Sequence, residues 1–173
     1  MRLKFNENKA MYTALSLILV VSACSRLLVA NVEKPQVVDF EKLSQQWQTD
    51  DDSVRMFHFW ATWCGPCVEE LPIYLRLPDS LRNEKFSMVL VSMDFPDRID
   101  KDLVPFLKKR KIGGKVLVLD DPDANTWINS VDTTWSGALP ATLVVKNGKK
   151  SFIEGPANQK TINDLLHPYF SEP

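Results

Sequence analysis

The sequence predicts a single α/β domain in which helices cover both faces of a mixed sheet. Apolar segments rich in β-forming residues alternate with helical segments along most of the chain. Near the end, two short strands flank Asn147-Gly148, the strongest hairpin signal in the sequence, and one helix follows them. The 173 residues, 45% hydrophobic and 25% charged, amount to about one globular domain.

The predicted strands are short apolar segments bounded by turn or helix signals. Val54–Trp60 is almost continuously apolar, which is typical of a strand that is covered on both faces. The full set of predicted strands is Val37–Phe40, Val54–Trp60, Phe86–Met93, Val116–Leu119, Ala141–Lys146 and Lys150–Glu154.

The predicted helices connect these strands and close the chain. Pro66 is compatible with the first turn of a helix, whereas Pro72 is expected to kink that helix or to end it early. Leu103, Phe106 and Leu107 fall on one side of the next long helix. The predicted helices are Glu41–Gln48, Pro66–Leu77, Ile99–Arg110, Ala124–Asp132 and Thr161–Phe170.

Residues 1–24 are predicted to be a secretory signal that does not belong to the fold. A basic start is followed by the uncharged stretch Ala10–Ser25, which is shorter than the ~20 residues of a spanning helix. The alternative is an uncleaved anchor helix. Removing residues 1–24 takes away three basic residues and one acidic residue, which changes the net charge from -1 to -3. This mildly acidic balance gives no basic surplus for binding nucleic acid.

The stretch Val21-Ser22-Ala23-Cys24 resembles the bacterial lipobox, in which the cysteine becomes the lipidated first residue of the mature protein. This resemblance implies a lipoprotein that is anchored in the bilayer by acyl chains on Cys24. With Ser25 next, it implies the outer membrane and the periplasm of a two-membrane bacterium, or the outer face of the membrane in a one-membrane bacterium. Residues 25–35 would be a tether and 36–173 the folded domain. A chance cysteine beside a plain cleavage site is the alternative.

The chemistry of the sequence is concentrated in Trp63-Cys64-Gly65-Pro66-Cys67, which follows an apolar strand and opens a helix. Two intervening residues allow the sulfurs to form one small ring, and the helix N-terminus stabilises a thiolate on Cys64. Cys67, one turn deeper, is placed to resolve a mixed disulfide. A zinc site would need more ligands than His58 and His167 offer. A structural disulfide is the other alternative, although so short a loop constrains the unfolded chain little.

The run from Phe57 to Cys67 resembles the active-site strand and turn of the thioredoxin superfamily. Its continuation through Val68-Glu69-Glu70-Leu71-Pro72 is similar to the TlpA/ResA group of extracytoplasmic thiol–disulfide oxidoreductases. The resemblance covers about residues 35–173 and implies a thioredoxin-like fold. The long span between Met93 and Pro140 leaves room for the additional strand and helix that this group carries.

The same resemblance implies a substrate site around the dithiol. Pro140, in Leu139-Pro140-Ala141-Thr142, corresponds to a cis-proline that faces the two cysteines, and the Leu139 backbone would pair with an extended substrate segment. Trp63 and Pro66 would complete the substrate-binding surface. A trans-proline that only starts a strand, and tryptophans that serve only packing, are the alternatives.

Glu70 and His58 are the predicted proton-handling residues. Glu70 matches a glutamate of the TlpA/ResA pattern and lies one helical turn after Cys67, so that it can accept the Cys67 proton. His58 stands where thioredoxins have a buried aspartate and TlpA-like proteins often an asparagine. Neutral histidine can accept that proton, and charged histidine would stabilise a thiolate. An ordinary surface glutamate and a mechanistically idle histidine remain as alternatives.

These features predict a thiol–disulfide oxidoreductase that needs no cofactor and exchanges disulfides with cysteine-containing extracytoplasmic proteins. The Gly65-Pro66 dipeptide is that of thioredoxin, whose potential near -270 mV favours a reductase fed by a membrane-embedded electron donor. One alternative is a copper-handling module for respiratory enzyme assembly, with His167 as a distant ligand. Another is a noncatalytic holdase that does not depend on its cysteines.

Overall fold

A computed structural model describes residues 34–48 and 51–170 of the chain. The predicted signal sequence, Cys24 and most of the predicted tether lie outside these residues. Pro35, the last residue assigned to the tether, is already buried. In the described part of the chain, no helix is both long enough and apolar enough to span a membrane.

Six strands form one mixed sheet, in the order β1-β4-β3-β2-β5-β6. The first four strands of this order run parallel, whereas β5 is antiparallel to β2 and β6 is antiparallel to β5. The strands are β1 (Gln36–Val38), β2 (Val54–Trp60), β3 (Phe86–Ser92), β4 (Lys115–Leu119), β5 (Ala141–Lys146) and β6 (Lys149–Glu154). All six predicted strands are present, and the bounds of β2 and β5 are those predicted.

The helices are α1 (Phe40–Ser44), α2 (Gly65–Tyr74), α3 (Leu77–Ser80), α4 (Val104–Arg110), α5 (Ala124–Val131) and α6 (Gln159–Phe170). The first predicted strand extends too far, because Asp39 caps α1 by accepting a hydrogen bond from the Lys42 N–H at 2.8 Å. That helix is also shorter than predicted, because its end tightens into a 3-10 turn at Gln45–Trp47.

Two predicted helices differ from the observed ones near their prolines. α2 runs through Pro72 and ends at Tyr74 rather than Leu77, which agrees with the predicted early end. The predicted helix Ile99–Arg110 begins as a π-helical turn over Ile99–Leu103 and becomes α-helical only from Val104. Pro105 has no backbone N–H for the α-helical ladder, so regular hydrogen bonding cannot pass unchanged through this position.

Alternate residues of β2 face two separate apolar layers. Phe57 and Phe59 pack with residues of α1 and α5, including Trp127. On the opposite face, Met56 and Trp60 pack against α2, α4 and α6. The predicted mixed sheet with helices on both faces is therefore confirmed. The predicted additional strand and helix between Met93 and Pro140 are β4 and α5, and β4 lies between β3 and β1.

The β5–β6 hairpin turns through Asn147 and Gly148, as predicted. Both residues have positive φ angles, 48° at Asn147 and 77° at Gly148, and Lys146 pairs with Lys149 across the turn. A two-residue turn with this geometry matches the twist of the flanking strands, and Asn-Gly is its preferred sequence.

Replacing Gly148 should destabilise the protein through backbone conformation alone. A Cβ at this position would meet no atom within 4 Å, so the cost of Gly148→Ala is that of a side chain at positive φ. We expect a loss of about 1 kcal/mol in the free energy of unfolding, measured with urea. Gly113→Ala is the matched control, because that site is equally open and has no positive φ. Equal losses in the two variants would contradict this explanation.

Candidate active site

The two cysteines lie where β2 ends and α2 begins. Cys64 is the N-cap of α2, and its sulfur accepts a hydrogen bond from the Cys67 N–H at 3.3 Å. The two sulfurs form a disulfide with an S–S distance of 2.00 Å. Both residues are buried, Cys64 with 7% of its surface exposed and Cys67 with none. After reduction, the free N–H groups at the start of α2 would stabilise a thiolate on Cys64, the less buried sulfur.

A groove of about 510 Å³ opens beside Cys64 and is lined mostly by apolar side chains. Trp63 and Phe95 stand at its surface, 62% and 65% exposed, and belong to the most exposed large apolar residues of the described chain. The remaining lining residues are Met93, Trp127, Trp135, Gly137, Ala138 and Leu139. The groove can therefore take an extended apolar segment beside the sulfur of Cys64.

The loop before Pro140 forms part of this groove. The Leu139–Pro140 peptide bond is cis, as predicted, and Leu139 lines the groove with Cys64. Pro140 itself is buried. Of the four predicted substrate-contacting residues, Trp63 and Leu139 thus border the groove, whereas the buried Pro140 and the exposed Pro66 are not among its lining residues.

Side chains that sequence reasoning missed hold this loop in place. The Trp135 indole N–H donates to the Ala138 carbonyl at 2.9 Å. The Glu154 carboxylate accepts hydrogen bonds from the Ser136 hydroxyl, the Ser136 N–H at 3.1 Å and the Ala138 N–H at 3.2 Å. The bonds from Ser136 lower the pKa of Glu154, since they favour its charged form. These contacts join β6 to the loop and have no local sequence signal.

A second missed residue, Asp94, fixes the turn that leads into the cysteines. Its carboxylate is almost fully buried and accepts hydrogen bonds from the Thr62 N–H at 3.1 Å, the Thr62 hydroxyl and the Ser92 hydroxyl at 2.7 Å. The Asp94 N–H donates in return to the Ser92 hydroxyl at 3.1 Å. The sequence signal that could have identified Asp94 is a carboxylate two residues after the apolar strand β3, at the same edge of the sheet as the cysteines.

The two predicted proton-handling residues, His58 and Glu70, lie opposite each other in the protein interior. His58 points from β2 towards α2 and has no exposed surface, and Glu70 is 5% exposed. The His58 Nε2 atom and the Glu70 Oε1 atom are 3.6 Å apart. Glu70 Oε2 accepts a hydrogen bond from the Ala157 N–H at 2.5 Å. Glu70 is thus buried, which excludes the alternative of an ordinary surface glutamate. The adjacent residue, Glu69, is exposed.

Burial dominates the charge states of this pair. Desolvation raises the pKa of Glu70 to about 7, against the smaller lowering effect of the Ala157 N–H. Desolvation also lowers the pKa of His58 to about 3, with a hydrogen bond to the Ala141 backbone acting in the opposite direction. At neutral pH His58 is therefore uncharged, and Glu70 exchanges its proton near neutrality.

His167 does not share the groove beside Cys64. It lies on α6 and lines a second groove, together with Arg76, Leu77 and other residues of α2, α3 and α6. Within residues 34–48 and 51–170, no group of three or more His, Cys, Asp or Glu side chains is arranged to hold a metal ion.

Replacing Glu70 with glutamine should change the pH dependence of stability. Because the folded protein holds the Glu70 proton more tightly than the unfolded chain, ionisation of Glu70 removes stability as the pH rises from about 4.5 to about 7. The amide of a glutamine at this position cannot ionise, and it can still accept from Ala157. We expect Glu70→Gln to unfold with a free energy higher than that of the wild type by on the order of 2 kcal/mol above pH 7.

This difference should shrink as the pH falls from about 7 and be smallest below about 4.5, where both folded and unfolded wild type bind the proton. Glu69→Gln, at the exposed neighbouring position, is the control and should show no such trend. A difference between Glu70→Gln and wild type that does not vary with pH would refute the assignment.

Comparison with known proteins links this geometry to a family, although no protein-family model matches the chain. It is 33% identical over 55 residues to a thioredoxin of Malassezia sympodialis, covering 32% of this chain and 52% of that protein. It is 25% identical over 108 residues to the thiol-disulfide oxidoreductase ResA of Oceanobacillus iheyensis, covering 53% of this chain and 56% of that protein. The chain thus spans about half the length of these curated relatives.

Among solved structures, a thioredoxin-related protein from Neisseria meningitidis serogroup B is similar over 69% of this chain and 86% of its own. The TM-score is 0.58 and the sequence identity is 26%. The sheet with helices on both faces, the disulfide at the start of α2 and the cis-proline loop beside it agree with this similarity. In sequence and in fold the chain is similar to thiol–disulfide oxidoreductases of the thioredoxin superfamily.

Proposed function

We propose that this protein is an extracytoplasmic thiol–disulfide oxidoreductase that exchanges the Cys64–Cys67 dithiol with cysteines of partner proteins, acting as a reductase. The observation that carries the proposal is the Cys64–Cys67 disulfide at the start of α2, beside an apolar groove. Relatives named as thioredoxin and as thiol-disulfide oxidoreductase support the same chemistry. The Gly65-Pro66 dipeptide, shared with the strongly reducing thioredoxin, supports the direction.

In the proposed reaction, the Cys64 thiolate attacks a disulfide of the partner. One partner sulfur becomes bonded to Cys64, and the other leaves as a thiolate that takes a proton from solvent. Cys67 then loses its proton to Glu70, and the new thiolate attacks the Cys64 sulfur. The Cys64–Cys67 bond forms, and the second partner sulfur leaves as a thiolate. The partner disulfide has gained two electrons, which a membrane-embedded dithiol donor must return to the protein.

The groove supports this role in substrate binding. Its apolar lining suits the side chains that flank a partner cysteine, and the exposed rings of Trp63 and Phe95 offer contact area at its entrance. The hydrogen bond that Trp135 donates and those that Glu154 accepts hold the loop before Pro140 in place, so little order has to be gained on binding. We assign Trp63, Leu139 and Pro140 to this binding surface.

A trapping experiment tests the exchange reaction. In Cys67→Ser the resolving thiol is absent, so a partner bonded to Cys64 should accumulate as a mixed disulfide that a reducing agent releases. The matched control Cys64→Ser should trap no partner at the active site, because the remaining active-site thiol, Cys67, is fully buried. Partners are identified by mass spectrometry after expression in the native host. If nothing is trapped and the purified wild type does not reduce a disulfide-bonded protein substrate, the oxidoreductase proposal is wrong.

We also propose that acyl chains on Cys24 anchor the protein to a membrane. The lipobox-like stretch and the basic, then apolar, N-terminal segment support this. Wild-type protein should incorporate a labelled fatty acid and sediment with membranes, whereas Cys24→Ala should take up no label. Cys64→Ser is the control and should be labelled like the wild type. A mature protein with a free thiol at Cys24 would contradict the anchor without affecting the redox proposal.

A further inference from the structure

The imidazole ring of His58 is held in one orientation by its neighbours. It stacks on the Tyr74 ring with the ring centres 3.8 Å apart and an angle of 20° between the planes. Its Nδ1 atom lies 3.1 Å from the Thr142 Oγ1 atom, which in turn lies 2.7 Å from the Tyr74 hydroxyl. These contacts leave only Nε2 directed at Glu70.

The Glu70 carboxyl group is held in the same way from the other side. Its Oε2 atom accepts the Ala157 N–H from the loop between β6 and α6, which leaves Oε1 facing His58 Nε2. Neither Oε1 nor Nε2 has another hydrogen-bond partner among the described residues. At 3.6 Å the two atoms are slightly beyond hydrogen-bonding distance, and a small rotation of the Glu70 side chain would join them.

The hydrogen on the neutral imidazole can be assigned from these partners. A neutral histidine carries one N–H. Because Thr142 Oγ1 can accept a hydrogen bond from Nδ1 at 3.1 Å, and Nε2 has no partner other than Glu70 among the described residues, we place this hydrogen on Nδ1. Nε2 therefore presents a lone pair to Glu70. A hydrogen on Glu70 Oε1 would satisfy both atoms, whereas a carboxylate there would face a lone pair.

Among the described residues, no cation compensates for a charge on Glu70 in these surroundings. β3 places Leu90 beside His58, and β5 places Thr142 there. Within α2 the buried titratable residues besides Glu70 are Cys67 and Tyr74, and burial raises the pKa of Tyr74, so it stays neutral. Asp94, the other buried carboxylate of the described chain, is bonded to Thr62 and Ser92 instead.

We propose that His58 is a positioning residue, which accepts the hydrogen of protonated Glu70 through Nε2 and so sets the proton affinity of Glu70. This rests on the proposed function, in which Glu70 takes the Cys67 proton. When Cys67 attacks the mixed disulfide, its proton moves to Glu70 Oε1, and the O–H then donates to His58 Nε2. This proton transfer changes no oxidation state. The electron pair of the resulting Cys67 thiolate then forms the new S–S bond with Cys64.

His58 acts through Glu70 and does not take up the proton itself. Burial lowers the pKa of His58 to about 3, so the ring remains a neutral acceptor at the pH where Glu70 titrates. A hydrogen bond to the neutral form of an acid raises the pKa of that acid. His58 therefore raises the pKa of Glu70 further, in the same direction as burial. A histidine that acts as the base, or one that has no role in the mechanism, would not have this effect.

The tautomer of His58 can be read in the full-length wild type in detergent, without any variant. Nitrogen NMR of the oxidised protein should show a neutral ring with hydrogen on Nδ1 from about pH 5 to about pH 8. Hydrogen on Nε2, or a charged ring within this range, would overturn the proposal. This measurement remains decisive if a variant at His58 fails to fold.

The proton affinity of Glu70 can be measured by infrared spectroscopy of its protonated carboxyl group. The band of this group is identified as the one that is absent in Glu70→Gln. In His58→Asn the side-chain amide can turn its NH₂ group to a Glu70 carboxylate, so the proton affinity of Glu70 should fall at least about tenfold. Tyr74→Phe keeps the imidazole and should change that affinity by less than about threefold. In each variant, the pH profile of the rate of Cys64–Cys67 ring closure should shift by the same amount as the pH at which Glu70 is half protonated.

An unchanged Glu70 midpoint in a folded His58→Asn protein would overturn the proposal. Its failure can be told apart from failure of the proposed function. If the wild type exchanges disulfides but shows the other tautomer, only the role of His58 is wrong. If tautomer and midpoint are as expected and no exchange occurs, the oxidoreductase function is wrong, and with it the role of Glu70 in the reaction.

Discussion

The junction between the end of β2 and the first turn of α2 is the constraint on which the rest of the structure depends. β2 is a central strand, paired with β3 on one side and β5 on the other, so its end is held firmly. Asp94 fixes Thr62 in the intervening turn, and Cys64 then caps α2 through its own sulfur. The helix N-terminus and the reactive sulfur therefore meet at a place that the sheet itself determines.

Burial has two opposite consequences around this junction. Apolar packing of Trp60 and Cys67 against α4 and neighbouring residues stabilises the site and shields the inner sulfur. The same layer contains His58 and Glu70, whose charged forms are disfavoured there. Two polar groups buried in this way destabilise a fold unless they form a hydrogen bond with each other. In the proposed reaction, the two groups are buried near the cysteines because they handle the proton of Cys67.

Local patterns predicted much of this structure, and contacts between distant segments account for what they missed. β2 was predicted with its observed bounds because its apolar run is continuous, and the spacing from Cys67 to Glu70 placed both on one face of α2. The hydrogen bonds that Glu154 accepts from Ser136 join two segments that are 18 residues apart in the sequence. His58 and Glu70 were considered separately, because only the packing of α2 on β2 brings their side chains together.

The most direct test of the account is a redox titration of the full-length protein, followed by alkylation of the free thiols. A redox-active pair opens and closes as one two-electron couple, so Cys64 and Cys67 should become alkylated together in a single transition. The transition should lie above about -300 mV, where redox-active dithiols are found. A bond that stays closed through this range would be a structural disulfide and would contradict the central claim.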